Sequence, residues 1–132
     1  MSPEFADHLR ELFAPLGAIQ IKRMFGGAGI YVDNMMFGLL ADDVLYLKAD
    51  AENRPLFDAE NLEPFSYEAK GKRRVSLGYF RAPDEAMESP QLMLPWARSA
   101  LGAALRGAKK KTAKKATTKT TRTTTKKRPV EK

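Results

Sequence analysis

Residues 23–48 read RMFGGAGIYVDNMMFGLLADDVLYLK and carry the clearest secondary-structure pattern in the chain. Strand-forming segments alternate here with two dipeptides, Asp33-Asn34 and Asp42-Asp43, whose residues tolerate positive φ and suit tight hairpin turns. The pattern predicts strands at 30–32, 35–40 and 44–48, which form a three-stranded antiparallel meander. The glycine run at 26–29 precedes a strand and not a helix, so it favours a bulge or a close backbone approach over a phosphate-binding loop.

Helices and a second hairpin surround this meander. Ser2-Pro3 opens a helix whose apolar residues share one face, and Pro15 and Gly17 end it. Asp50 is predicted to cap a short helix from Ala51 to about Ala59, which Pro55 causes either to start late or to bend. Strands at 65–68 and 73–80 follow, joined by a turn at 69–72. The last helix is predicted to run from Pro95 to Gly107, after a break near Leu94. The order α-β-β-β-α-β-β-α defines an α+β class, an antiparallel sheet with flanking helices.

Charge divides the 132 residues into two parts. Residues 1–106 hold 12 Lys/Arg and 15 Asp/Glu, a net −3, whereas residues 107–132 hold 11 Lys/Arg and one Glu, a net +10. The second part contains eight threonines, no aromatic residue and one large apolar residue, Val130. Such a segment buries too little apolar surface to offset its ordering entropy. We therefore predict a folded domain over 1–106 and a disordered Lys/Thr-rich tail over 107–132.

The tail is predicted to contact DNA without reading its sequence. Its cations alternate with threonines that also reach phosphate, and no aromatic side chain is available to stack on bases. The candidate nucleic-acid-binding residues are Lys109, Lys110, Lys111, Lys114, Lys115, Lys119, Arg122, Lys126, Lys127 and Arg128. The alternative is a tail that only solubilises the domain or binds an acidic partner.

The sequence contains no recognisable pattern of catalytic residues. There is no cysteine, the one histidine is His8, and no serine lies in a nucleophile-elbow pattern. His8 is predicted to face solvent on the first helix, and Asp42-Asp43 to form a turn and not a metal site. We expect no enzyme activity, cofactor or metal. The sequence shows no membrane-length apolar run and no secretory signal, which predicts a cytoplasmic location.

Two further surfaces are candidates for interaction. Lys70, Lys72, Arg73 and Arg74 cluster at the second hairpin, where they either touch phosphate or form a solvated turn. Apolar residues that a small domain leaves exposed predict a homodimer, and the candidates are Met35, Met36, Phe37 and Tyr79. The four tyrosines all fall on predicted strands, where half-buried sheet packing is favoured over base stacking.

Several segments, in this order, resemble the TfoX N-terminal domain family (TfoX/Sxy). They are Arg23–Tyr31 (RMFGGAGIY), Met36–Leu40 (MFGLL), Leu45–Lys48 (LYLK), Pro64–Tyr67 (PFSY) and Leu94–Ala97 (LPWA). The resemblance covers about residues 10–105. It implies a bacterial cytoplasmic protein, an α+β fold similar to type III secretion chaperones, and a regulatory or interaction role without catalytic residues.

The resemblance also implies a link to transcription. In the well-known members this domain is linked to transcription of DNA-uptake (competence) genes together with a cyclic-AMP-responsive activator, which makes a transcription factor an expected partner. Those members have a second, helical C-terminal domain, and the present sequence has the Lys/Thr tail at that position.

Overall fold

The computed structural model describes residues 2–24 and 26–124, with only the backbone described for residues 110–124. The elements are α1 (Pro3–Leu12), β1 (Gln20–Met24), β2 (Gly27–Val32), β3 (Met35–Ala41), β4 (Val44–Lys48), α2 (Arg54–Ala59), β5 (Pro64–Ala69), β6 (Lys72–Arg81), a 3-10 turn (Asp84–Glu88) and α3 (Pro90–Thr124). The predicted α+β class and the order of elements are confirmed. One strand, β1, joins the sheet in addition to those predicted.

The six strands form one antiparallel sheet in the order β1-β2-β3-β4-β6-β5. Each hairpin turn takes the left-handed backbone conformation that the sequence predicted, with φ of 49° and 64° at Asp33 and Asn34 and of 50° and 61° at Asp42 and Asp43. Asn and Asp tolerate this conformation, and two consecutive positive φ values match the twist of the flanking strands. The predicted turn role of Asp42-Asp43 is therefore confirmed.

All three helices pack on one face of the sheet and enclose the core there. Phe13, at the end of α1, makes an edge-on ring contact with Phe37 of β3 at 5.0 Å. Phe57 of α2 contacts both Phe80 of β6 and Trp96 of α3, at 5.3 and 5.4 Å between ring centroids. A shift in the β2–β3 register between Ile30 and Tyr31 adds one residue to β3. This bulge explains why Phe37 points into the core and is fully buried.

Helix α3 is longer at both ends than the sequence predicted. It begins at Pro90, where the Ser89 hydroxyl accepts hydrogen bonds from the amides of Gln91 and Leu92, and it continues through Pro95. Because Pro95 lies in the second turn, it leaves only the carbonyl of exposed Gln91 without its helical partner. The predicted break near Leu94 is therefore wrong.

The predicted helix end at Gly107 is also wrong, because the backbone stays helical to Thr124. A single glycine costs a helix about 1 kcal/mol and does not end it, and the following Ala and Lys residues are good helix formers. The division into a domain over 1–106 and a tail over 107–132 stays a prediction.

Gly27 and His8 each make a contact that helps to position neighbouring elements. A side chain at Gly27 would collide with the carbonyl oxygen of Leu40 on the neighbouring strand, which confirms that this glycine serves a close backbone approach. His8 does not face solvent as predicted. Its Nε2 lies 2.9 Å from the carbonyl oxygen of Met87, and its ring stacks on Phe5. The reason is that the 3-10 turn packs against α1 and brings a carbonyl group to the imidazole.

Candidate functional site

The sheet face opposite the helices is the main candidate surface. Cross-strand partners share a face of a sheet, and three pairs lie on this side: Tyr31 with Met36, Leu39 with Tyr46, and Lys48 with Tyr79. The core-facing partners alternate with them, such as Ile30 with Gly38 and Leu47 with Phe80. The helix residues Phe13 and Phe57 contact Phe37 and Phe80 on the core side, and we call the opposite side of the sheet the open face.

Aromatic side chains form a row across the open face. The ring of Tyr46 on β4 lies 5.1 Å from that of Phe65 on the edge strand β5, in an edge-on contact. Phe65 in turn stacks on Tyr67 at 5.7 Å. Tyr67 is 48% exposed, and the remaining rings of the row are half-buried. The row therefore ends in a ring with a large free surface.

Cations lie among these rings. The ammonium group of Lys22 sits 4.7 Å from the ring centre of Tyr31, and that of Lys48 sits 5.1 Å from the ring centre of Tyr79. Both distances are those of cation–π contacts. Burial, and then the nearby Tyr31, raise the pKa of Tyr79 above its usual value, so its hydroxyl stays neutral at physiological pH. The open face thus combines aromatic rings with lysine side chains that lie against them.

A carboxylate–guanidinium cluster fixes the position from which the tail extends. The Arg106 guanidinium on α3 donates to both carboxylate oxygens of Asp50, with Nε–Oδ2 at 2.6 Å and Nη2–Oδ1 at 3.0 Å. Its Nε also lies 2.6 Å from a carboxylate oxygen of Glu52. The hydrogen bond from Arg106 is the main cause that lowers the pKa of Asp50 from 3.8 to about 2.

Buried Asn53 extends this cluster to the sheet and to α3. Its amide group donates to the carbonyl oxygens of Lys48 and Ser99, and its Oδ1 accepts from the backbone amide of Asp50. Asp50 in turn accepts from the amides of Glu52 and Asn53. Hydrogen bonds thus join the loop at 50–53 to β4 and to α3. The last residue of this cluster along the chain, Arg106, directly precedes the basic segment.

The structure places the ten candidate DNA-binding residues unevenly. Lys109 is exposed on α3, three residues beyond Arg106. Lys110, Lys111, Lys114, Lys115, Lys119 and Arg122 follow on the helical backbone, which the structure describes without their side chains. Lys126, Lys127 and Arg128 lie outside the described residues. Their contact with DNA stays a prediction.

The second hairpin presents its cations to solvent. Lys70 and Gly71 form its turn, with φ of 54° and 74°, and the neighbouring Lys72, Arg73 and Arg74 are all exposed. Arg73 donates to the hydroxyl of Ser66 across the hairpin at 2.7 Å. Arg74 pairs with Tyr67 and therefore extends the cationic character of the open face onto this hairpin.

The residues on which the predicted homodimer rested are separated in the structure. Phe37 is fully buried in the core and Met35 packs against it, because the bulge in β3 turns both toward the helices. Met36 and Tyr79 lie on the open face, where both are half-buried. Phe37 and Met35 are therefore wrong as docking residues. The homodimer itself stays a prediction.

A groove of about 580 Å³ borders the glycine-rich turn, between Arg23 of β1 and the Asp42-Asp43 turn. Its two carboxylates belong to a hairpin turn, and within the described ranges no group of three His, Asp or Glu side chains is placed to hold a metal ion.

A helix long and apolar enough to cross a membrane is not found in residues 2–24 or 26–124.

These features define an α+β domain with a helix-covered core, an aromatic open face and a basic C-terminal segment. The chain belongs to the TfoX N-terminal domain family, whose model matches residues 11–104. It is 27% identical over 97 residues to Protein Sxy of Escherichia coli strain K12, a match that covers 74% of this chain and 46% of that protein. It is 28% identical over 98 residues to DNA transformation protein TfoX1 of Aliivibrio fischeri strain ATCC 700601 / ES114, covering 71% of this chain and 46% of that protein. The match thus spans less than half the length of either relative.

Proposed function

We propose that this protein is a non-enzymatic regulator whose basic tail binds DNA without reading its sequence, while its folded domain binds a partner protein of the transcription machinery. Membership of the TfoX N-terminal domain family supports the regulatory role. The name of the relative TfoX1 assigns it to DNA transformation, which favours a role at genes for DNA uptake.

The observation that carries this proposal is the separation of charge along the chain. Residues 1–106 have a net charge of −3, and residues 107–132 have +10. DNA attracts the basic segment far more strongly than it attracts a domain of net negative charge, so contact with the duplex is assigned to the tail. The bidentate contact of Arg106 with Asp50 joins the two parts, since it holds α3 on the domain just before the first tail cation, Lys109.

A gel-shift experiment with a 30-base-pair duplex tests the proposal. The full chain is compared with a chain that ends at Arg106 and with a full-length variant in which the ten candidate cations are replaced by Gln. We expect both variants to lose most of the binding, because phosphate contacts supply nearly all of the affinity of a sequence-independent binder. A third variant with the tail residues in scrambled order keeps the charge and should bind like the original.

The second candidate function is a protein-interaction module whose tail only aids solubility or binds an acidic partner. The exposed apolar side chains of the domain favour a docking role, and among them Val75 and Leu77 of β6 are 58% and 54% exposed. Under this alternative the Gln-substituted variant binds the duplex as well as the original chain does, or neither binds it. Either result would exclude the tail as a DNA-binding element.

A further inference from the structure

Positive charge is concentrated on the sheet even though the folded domain is acidic. The described strands contain one acidic residue, Glu68, and seven basic residues, which are Lys22, Arg23, Lys48, Lys72, Arg73, Arg74 and Arg81. The acidic residues that give residues 1–106 their net −3 are therefore in helices and connecting segments. Glu68 pairs with Arg73 and alternates with Tyr67 along β5, so it lies on the side opposite the aromatic row.

The open face therefore presents aromatic rings and cations without a strand carboxylate. Tyr31, Tyr46, Phe65, Tyr67 and Tyr79 supply the rings, and Lys22, Lys48 and Arg74 lie beside Tyr31, Tyr79 and Tyr67. Arg81 shares this face as the partner of Tyr46 and lies 3.6 Å from the carboxylate of Asp84. Rings for stacking and cations for phosphate at close spacing are what proteins use to bind unpaired nucleotides.

We propose that the open face binds single-stranded DNA by stacking bases on its aromatic row while its cations contact the backbone. In a duplex the bases stack on one another and their faces are hidden, so this surface selects the single strand. Tyr67 offers the most exposed ring and is the expected first stacking position. Lys22 and Lys48, which cover ring faces in the free protein, are placed to move onto phosphate groups.

The positive charge of the open face disfavours two other occupants, which are the basic tail and a second copy of the chain. The tail carries +10 and the strands carry +6, so the tail is repelled from the sheet. A second copy would bring two positive faces together, and the predicted homodimer therefore requires another surface. The choice of DNA over RNA rests on the proposed function, since the tail of the same chain is proposed to bind DNA.

The test measures fluorescence anisotropy of labelled 15-mers of thymidine, dT, and of uridine, rU, with the full-length chain at 400 mM NaCl. Tail binding is weak at this salt concentration because it depends on counterion release, whereas the contact of a base with an aromatic ring releases no counterions. Tyr67→Ala should weaken dT binding about fivefold or more, and Tyr67→Phe should restore it because the ring face is retained. Leu92→Ala removes an equally exposed apolar side chain from α3 and should change nothing.

A charge-matched pair of variants gives a second readout at 150 mM NaCl, in the background in which the ten candidate tail cations are replaced by Gln. Lys22→Glu, beside Tyr31, should weaken dT binding, and Arg98→Glu on the exposed side of α3 should not. This background separates the two proposals, since it removes duplex binding by the tail and leaves dT binding by the face.

Four results would overturn the inference. They are unchanged dT binding by both Tyr67→Ala and Lys22→Glu, equal competition by duplex at 400 mM NaCl, a tenfold preference for rU over dT, and sedimentation of a dimer that Tyr67→Ala dissociates. The last result would assign the face to a second copy of the chain.

Discussion

Replacing Asp50 by Asn should make the folded domain less stable at neutral pH and should flatten its acid dependence. Arg106 holds the pKa of Asp50 at about 2, against 3.8 for the free side chain. A difference of nearly two pKa units corresponds to at most about 2.5 kcal/mol. The Asp50 side chain is 28% exposed and solvent screens the ion pair. We therefore expect a loss of about 1–2 kcal/mol.

The sign of the pH effect follows from the lowered pKa. The Asp50 carboxylate stabilises the fold above about pH 4, and this contribution is lost as the pH falls toward 2, because the unfolded chain binds the proton more tightly. Between pH 6 and pH 2 the original chain should therefore lose about 1–2 kcal/mol more than Asp50→Asn. Urea unfolding followed by the fluorescence of Trp96, which packs on Phe57 in the core, measures both curves.

Asp7→Asn is the matched control, because Asp7 pairs with Arg10 in a contact whose side chains are 79% and 55% exposed. It should stay close to the original chain at every pH. Arg106→Gln should reproduce the flattened acid dependence of Asp50→Asn. If the original chain and Asp50→Asn lose the same free energy of unfolding between pH 6 and pH 2, the cluster does not anchor α3 as described.

Three further predictions concern the strand contact, the core and the tail. Gly27→Ala should cost at least about 2 kcal/mol, because its methyl group meets the Leu40 carbonyl, whereas Gly107→Ala should stay within about 1 kcal/mol of the original in urea unfolding. Phe57→Ala should lower the free energy of unfolding by about 3–5 kcal/mol, because Phe57 is buried in the core, whereas Leu56→Ala should lower it by about 0.5 kcal/mol or less, because Leu56 is exposed. Equal losses in urea unfolding would show that Phe57 is not a core residue. Backbone amides at 107–124 should exchange rapidly in the free protein, since a Thr-rich helix of like charges is marginal alone, and protected amides beyond Lys111 would refute this.

Local turn chemistry made much of the fold predictable. The hairpin turns could be predicted from Asp33-Asn34 and Asp42-Asp43, because few other residues accept two positive φ values in succession. Strand β1 was not predicted, because its sequence QIKRM is mostly polar. None of its side chains is fully buried, which is acceptable in an edge strand. Its existence depends on pairing with β2, which no local pattern reveals.

The open face was harder to predict than the strands that build it. Strand alternation alone would place Phe37 beside the surface residues, and the bulge between Ile30 and Tyr31 turns it into the core. The contacts of Lys22 with Tyr31 and of Lys48 with Tyr79 join residues on different strands. Sequence predicted half-buried tyrosines, and only the register shows that they share one face with the cations.

The salt dependence of duplex binding by the full-length chain shows whether the tail binds DNA through its phosphate groups. Ten cations lie between Lys109 and Arg128, and contact of about six of them with phosphate predicts a slope of log K against log salt near −5. Affinity should then fall about a thousandfold between 50 and 200 mM NaCl, and the Gln-substituted tail should show neither the affinity nor the slope. A binding constant that does not change across this range, or a steep slope retained by the Gln-substituted chain, would show that the tail cations do not bind DNA.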